Sequence, residues 1–186
     1  WVLDLWPESL EAVGVIKSKW LLGILRIMVN DIYKKCEIIL CQSKSFAKEI
    51  SKSIKRTEKI LYFPAWSDVV FLKVAKDYAP EIDLKKSYFN IIFAGNIGEA
   101  QDFPSIIKAF QIISRKNLRK IRLIVIGDGS MKKWLIEQVK INNLNHIIEV
   151  HQKFPLYRMP SLFKHANALL VSLSDKKVFS MTIPGK

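Results

Sequence analysis

Cysteine, histidine and acidic side chains are all scarce in this chain of 186 residues, and each shortage removes a class of function. Cys36 and Cys41 are the two cysteines, and with no histidine beside them they exclude a zinc framework and a disulfide scaffold. Cys41 ends an apolar run, so both are expected to be small buried side chains in a reducing compartment. No apolar stretch reaches the roughly 20 residues that span a bilayer, since Arg26, Asn30 and Asp31 interrupt the longest one. No repeat or low-complexity tract is visible, which excludes a solenoid. No initiator Met or signal peptide precedes Trp1, and 1–7 (WVLDLWP) already reads as a core strand. At the other end 183–186 (IPGK) breaks off before the helix expected to follow. The chain is therefore expected to be an internal piece of a longer protein, inactive by itself and poorly soluble because of exposed sheet edges.

The shortage of acid is uneven. Lys and Arg total 30 against 17 Asp and Glu, a net charge of +13. Residues 1–80 carry 13 basic and 9 acidic groups and 81–186 carry 17 and 8, so the second part is the anion-seeking one. Nucleic acid, anionic lipid or a phosphorylated substrate all fit that sign. With 49% apolar residues the chain has ample material for a core.

The stretch that organises the chain is 89–110, FNIIFAGNIGEAQDFPSIIKAF. An apolar run at 90–94 predicts a strand, Gly95 and Gly98 open the backbone, and Phe103, Ile106, Ile107 and Phe110 recur at helical spacing. Such a strand, glycine loop and helix bring backbone amides to a point suited to a phosphate, although two glycines can equally do no more than shape a tight turn.

Before this unit, strands are predicted at 2–5, 37–41 and 59–63, and helices at 8–14, 19–35 and 44–52, the last capped by Ser43. Asp4 falls where the carboxyl end of a parallel strand would open to a cleft. Helix 19–35 is expected to pack inside an α/β domain, with an interfacial membrane helix as the other reading because Lys17, Lys19, Arg26, Lys34 and Lys35 flank it. From Pro64 to about 87 the composition turns polar and periodicity fails. Beyond it come a basic loop at 116–122, a strand at 121–126, a GDGS turn whose Ser130 can cap a helix at 131–140, a strand at 147–150, a helix at 159–165 and a strand at 168–173 followed by a loop at 174–184. The order βαβαβαβ from residue 90 predicts an open parallel sheet with Gly95, Gly127, His151 and Ser174 along one edge. The fold class is α/β with two Rossmann-like, doubly wound domains, both incomplete: 1–70, a linker at 71–87, and 88–186.

WVLDLWPESL, CQSKSFAKEI, LYFPAWSD, FAGNIGEAQDF, LIVIGDGSMKKWL, MPSLFKHANALLVSL and IPGK, taken in that order, resemble the retaining GT-B glycosyltransferases of family 4, and most nearly the L-fucosamine transferase-like members of bacterial cell-surface polysaccharide pathways. The resemblance implies a nucleotide-sugar donor, UDP-linked, held mainly by the second domain. It also implies a lipid-linked saccharide acceptor held mainly by the first, retention at the anomeric carbon, and neither metal nor cofactor. Gly95, Asn96, Gly98, Gln101 and Lys186 would then hold the diphosphate, and Gly127, Asp128, His151, Lys153 and Phe154 the nucleotide. Asp4 is the catalytic candidate, near where relatives keep a polar residue by the reacting sugar. Many members carry Arg and Lys where this chain has Asn96 and Gln101, and Asn where it has Ala65. Neutral amides donate hydrogen bonds without neutralising charge, which transfers charge work to Lys186.

Two other classes stay open on sequence: a GT-B sugar-nucleotide epimerase, and a non-catalytic basic module for nucleic acid or membrane. The first needs acid/base groups at strand ends, where only Asp4 and Asp128 stand. Against nucleic acid, the aromatics fall at core spacing and do not interleave with basic residues. Asp128 also reads as plain turn chemistry. The expected location is the cytoplasm, peripheral at the inner membrane face, with attraction to anionic lipid and no nucleic-acid partner.

Overall fold

The computed structural model describes residues 1–72, 82–84, 86–116 and 120–185. They form two compact units: residues 1–66 together with 173–185, and residues 67–172. Residues 173–185, assigned on sequence to the second domain, thus cluster with the first.

In the first unit α1 (Glu8–Ala12) and α2 (Lys19–Lys35) precede β1 (Ile39–Cys41), α3 (Lys44–Ser51) and β2 (Ile60–Tyr62). The two strands are parallel, with Ile39 opposite Ile60. The strand expected at 2–5 is reduced to one bridge, Val2 to Cys41. The ladder stops there because β1 ends at Cys41 and the chain turns at Ser43 into α3, which leaves no strand for Asp4 to pair with; the Gln42 side-chain amide donates to the Leu3 carbonyl beside it. Ser43 caps α3 as expected: its hydroxyl accepts from Phe46 N at 3.0 Å and donates to the Met181 carbonyl at 2.7 Å. The expected loop 174–184 contains a short helix, α7 (Lys177–Ser180), which buries Val178 and Phe179. Cys41 is buried, and burial pushes its thiol pKa up, whereas Cys36, one residue past α2, is only half-buried.

Helix α2 has the bounds its periodicity predicts, but its packing differs. Leu22 and Val29 are its buried residues, while Trp20, Ile24, Ile27, Met28 and Ile32 are exposed. Only a narrow stripe of the helix meets the core. Its last turn is finished by a residue read as strand. Lys59 ends a 3-10 turn at Thr57–Lys59, is itself buried, and donates Nζ to the carbonyls of Tyr33, Lys34 and Cys36 at 2.7, 2.9 and 2.8 Å. These include carbonyls left without partners where a helix ends, and a cation there also meets the negative end of the helix dipole.

The second unit holds β3 (Phe89–Asn96), β4 (Ile121–Asp128), β5 (Ile148–His151) and β6 (Ala168–Leu169), all parallel in the order β5-β4-β3-β6. Helices α4 (Phe103–Lys116), α5 (Lys132–Ile141) and α6 (Met159–Lys164) connect them. One face of the sheet packs Phe93, Leu123 and Val125 against Phe103, Ile107, Phe110, Leu135 and Val139. The other packs Ile92, Ile124 and Ile126 against Met159 and Leu162. Alternate residues of each central strand feed opposite layers, which is the pattern of a doubly wound sheet. The strand expected at 168–173 pairs only through Ala168 and Leu169 with Ile91 and Ile92, after which Leu170 N donates to the Ile92 carbonyl. Ser130 does not cap α5. It is exposed, and the N-cap position is Met131, whose amide donates to the Ile97 carbonyl at 3.0 Å.

Replacing Lys59 by Met keeps the apolar stem and removes the donor to three carbonyls at the end of α2. Lys59→Met should lower stability by about 2–3 kcal/mol. Lys48→Met, at an exposed position, should change it by less than about 0.5 kcal/mol. Thermal unfolding of both variants measures this, and equal shifts would contradict the capping role.

Candidate functional site

The register of the second sheet sets Gly95 opposite Gly127, Asn96 opposite Asp128, and Ile126 opposite His151. Three groups picked out by sequence therefore share one carboxyl edge. At that edge backbone meets backbone. A Cβ placed on Gly127 would lie 1.9 Å from the Gly95 carbonyl oxygen, and one on Gly129 would lie 2.3 Å from the Ile97 oxygen. Gly95 and Gly129 also sit at φ +143° and +152°, outside the range of ordinary side chains. The two βα loops are joined through Ile97, whose amide donates to the Asp128 carbonyl at 2.8 Å and whose carbonyl accepts from Met131 N at 3.0 Å.

This arrangement changes the roles expected inside the glycine loop. Gly98 N donates to the Gln101 side-chain oxygen at 3.1 Å, so the amides of Ile97 and Gly98 are engaged within the fold. Gln101 is buried, and its own carbonyl accepts from Ser172 Oγ at 2.7 Å. Gln101 therefore braces the loop through that acceptor. Asp102 adopts a left-handed conformation, φ +50°, and its carbonyl receives the amides of Ser105 and Ile106, which starts α4 in a new direction. Pro104 removes one more donor from that helix start. Asn96 stays exposed at the mouth, with its side chain against Gly98: a Cβ there would meet Asn96 Nδ2 at 2.7 Å. Asn96 and Glu99 are thus the polar side chains that the loop presents to solvent.

Asp128 is exposed and accepts from its neighbour Gly129 N at 2.9 Å, with Lys132 Nζ 4.0 Å away. That is turn chemistry. His151 Nε2 lies 3.3 Å from Glu149 Oε2, and the other Glu149 oxygen accepts from Arg122, which also donates to the Asp83 carbonyl at 2.6 Å. Arg122, expected in a solvated basic loop, is instead buried within β4, because its length lets the guanidinium reach this acid and carbonyl. Arg119 of the same loop is outside the described residues. Burial pushes the Glu149 carboxyl up, but hydrogen bonds from Arg122 and His151 outweigh it and hold the pKa below the usual value. Glu149, Val150 and His151 line a groove of about 450 Å3 with Ile136, Val139 and Asn145. Lys153 is exposed, and Phe154 packs on the Ile92 side of the sheet. Asp4 is exposed and belongs to the first unit, and Lys186 lies outside the described residues. Ser172, Glu149 and Arg122 were missed on sequence: a lone Ser, or a single charge inside an apolar strand, carries no spacing signal.

Among the described residues no group of three or more His, Cys, Asp and Glu is placed to hold a metal, and no helix is long and apolar enough to cross a membrane.

A parallel sheet in this order, with glycine-stitched loops at its carboxyl edge, defines a Rossmann-like α/β unit. Solved structures of the same fold are GT-B glycosyltransferases. WaaG, a glycosyltransferase involved in lipopolysaccharide biosynthesis, superposes with a TM-score of 0.63 at 10% identity over 91% of this chain and 48% of that one. Anabaena HepE, solved in complex with UDP and glucose, gives 0.61 at 13% identity over 80% and 41%. The profile of the family described as Glycosyl transferases group 1 matches residues 75–183, and the chain belongs to that family. WbjE of Pseudomonas aeruginosa, named a probable glycosyltransferase, is 22% identical over 100% of this chain. The chain spans about half of that relative, 47% of its length.

Because the folded pKa of Glu149 is depressed, its ion pair adds stability above the unfolded carboxylate pKa of about 4.3, and that stability is lost as pH falls through the folded value. Glu149→Gln should flatten the acid limb of Tm against pH between about pH 5 and 3. At neutral pH it should destabilise by about 2 kcal/mol, less than for a fully buried pair because 33% of the Glu149 side chain is exposed. An unchanged acid limb would contradict this account.

Proposed function

We propose that this chain is part of a retaining, metal-independent glycosyltransferase of family 4, L-fucosamine transferase-like, that works without cofactor. In this reading it moves a hexose or amino sugar from a UDP-linked donor to a lipid-linked saccharide in cell-surface polysaccharide assembly. The observation that carries the reading is the carboxyl edge of the second sheet, where Asn96, Asp128 and His151 stand at the ends of neighbouring strands and glycine lets the backbones at Gly95 and Gly127 meet. A diphosphate can approach such a backbone closely. The bond from the anomeric carbon to the diphosphate breaks while the acceptor hydroxyl oxygen bonds to that carbon on the same face and passes its proton to the departing diphosphate. The departing group gains charge, and Lys186 with the Asn96 amide stabilises it. His151 and the residues after it, Lys153 and Phe154, receive the nucleoside. HepE in complex with UDP and glucose supports a UDP-linked donor through shared fold alone.

The membrane side of the proposal rests on α2. Its exposed Trp20, Ile24, Ile27 and Met28 form an apolar face, and Lys17, Lys19 and Lys34 add positive charge beside it. A helix of that kind lies on an anionic surface with its apolar face in the headgroup boundary. The enzyme would then meet a lipid-linked acceptor at the inner face of the cytoplasmic membrane. The epimerase reading is not favoured, since Asp128 is engaged in its own turn.

Calorimetric titration of the intact protein with UDP in EDTA should show binding that Lys186→Ala weakens by about tenfold or more. No UDP binding, together with tight oligonucleotide binding that falls steeply with salt, would overturn the transferase reading. For the membrane part, Ile24→Asp with Ile27→Asp should cut co-sedimentation with phosphatidylglycerol vesicles several-fold and leave UDP affinity unchanged. Undiminished co-sedimentation would remove α2 from the proposal.

A further inference from the structure

The first unit carries an aromatic assembly that the donor site does not use. Trp1 and Trp66 stack with ring centroids 5.0 Å apart and planes 16° from parallel. Phe63 sets its edge against both, at 5.7 and 6.1 Å. The assembly is held in place, because Trp1 Nε1 donates to the Phe63 carbonyl at 3.2 Å, and Phe63 N in turn donates to the Cys41 carbonyl at 2.8 Å. Although one face of Trp66 lies on Trp1, the residue is 69% exposed, so the opposite indole face is open to solvent.

Its place in the fold is informative. Phe63 directly follows β2, and Pro64 and Ala65 carry the chain to Trp66, so the stack stands beyond the carboxyl end of a parallel strand. In open α/β sheets ligands gather at that end. Three rings fixed by a hydrogen bond and edge contacts also present a preorganised surface, which lowers the ordering cost of binding. For a collapsed apolar contact the open face of Trp66 has no use. For a flat ligand with an apolar face it is a platform.

We propose that the Trp66 face, supported by Trp1 and Phe63, is a stacking platform for a pyranose ring of the saccharide acceptor. This deepens the glycosyltransferase reading and rests on it. A pyranose turns a patch of C–H groups to one side and directs its hydroxyls outward, so it covers an indole while its polar groups stay hydrated or reach a carboxylate. Asp4, exposed and three residues from Trp1 along the chain, is the carboxylate nearest the platform in sequence within this unit. The same chemistry disfavours a nucleic acid, whose stacked bases need cations beside the rings, and an anionic lipid surface, which Asp4 would repel. The cation in this region, Lys44, lies over the Tyr62 ring with Nζ 5.8 Å from its centroid.

The test uses the intact protein with methyl glucopyranoside and methyl N-acetylglucosaminide as probes, read by saturation-transfer NMR and by titration. Saturation should concentrate on the protons of one ring face. Trp66→Ala should weaken both probes by about tenfold and Trp66→Phe by much less, with UDP affinity and Tm kept. Probe binding indifferent to Trp66→Ala would overturn the platform, as would a Trp66→Ala effect confined to Tm, or a Trp66-dependent capture by anionic vesicles in place of sugar binding. Loss of UDP binding in the unmodified protein is a separate failure: it would count against the donor site, while Trp66-dependent sugar binding would still support the platform.

Discussion

The close approach of two strand ends is the constraint from which the second unit follows. Gly127 can pass the Gly95 carbonyl only because it has no side chain, and Gly129 passes the Ile97 carbonyl for the same reason. That proximity lets Ile97 donate to Asp128 and accept from Met131, so two βα loops from neighbouring strands become one piece of backbone. The starts of α4 and α5 are then fixed relative to each other, and so are the layers they bury on Phe93, Leu123 and Val125. Packing and site are coupled here. The glycines that bring the two loops together at the candidate site are also the ones that hold the helices in place.

Each unit also contains one buried cation that serves the fold. Lys59 closes the end of α2 with three carbonyls, and Arg122 ties β4 to Glu149 on β5 and to the Asp83 carbonyl. In a chain of net charge +13 these two do not contribute to an outward basic field in the way the total suggests. A buried charge is tolerated where its donors are matched by acceptors, and both meet that condition. The Arg122 link further orients Glu149, and Glu149 meets the ring of His151. The fold therefore reaches the edge of the candidate site through a hydrogen-bonded chain.

Much of this was legible because periodicity and caps are local. The bounds of α2, the Ser43 cap and the apolar runs of β3 and β4 follow from residues within a few positions of each other, and the βα order then puts Gly95 and Gly127 on one edge. What was not legible depends on partners distant in sequence. Val2 to Leu5 looks like a strand, but its partner β1 ends at Cys41 and turns into α3. Lys59 looks like the first residue of a strand until α2 offers its carbonyls. The run from 168 to 173 is apolar enough for a long strand, yet pairing ends at Leu169, and residues 173–185, which include the short helix Lys177–Ser180, cluster with the first unit. Ser130 has the right chemistry for a cap, but the loop contact through Ile97 moves the N-cap to Met131. Local propensity set the elements, and remote hydrogen bonds trimmed them.

Gln101 shows how the same physics bears on mechanism. On sequence it stands where many relatives place a lysine, and it was read as a neutral donor to a diphosphate. In the fold its side-chain oxygen accepts the Gly98 amide and its carbonyl accepts the Ser172 hydroxyl. A lysine has no acceptor to offer Gly98, so substituting one here would remove the brace while adding charge. The loop thus gains rigidity from a residue that gives up electrostatic work. With the Ile97 and Gly98 amides also engaged, the neutral Asn96 and the acidic Glu99 are left as the exposed polar side chains of the loop. In the proposed reaction, neutralisation of a leaving diphosphate consequently falls to Lys186 or to groups outside this loop. A transferase built in this way separates the two tasks: the glycine loop fixes position, and a cation from elsewhere in the chain supplies charge.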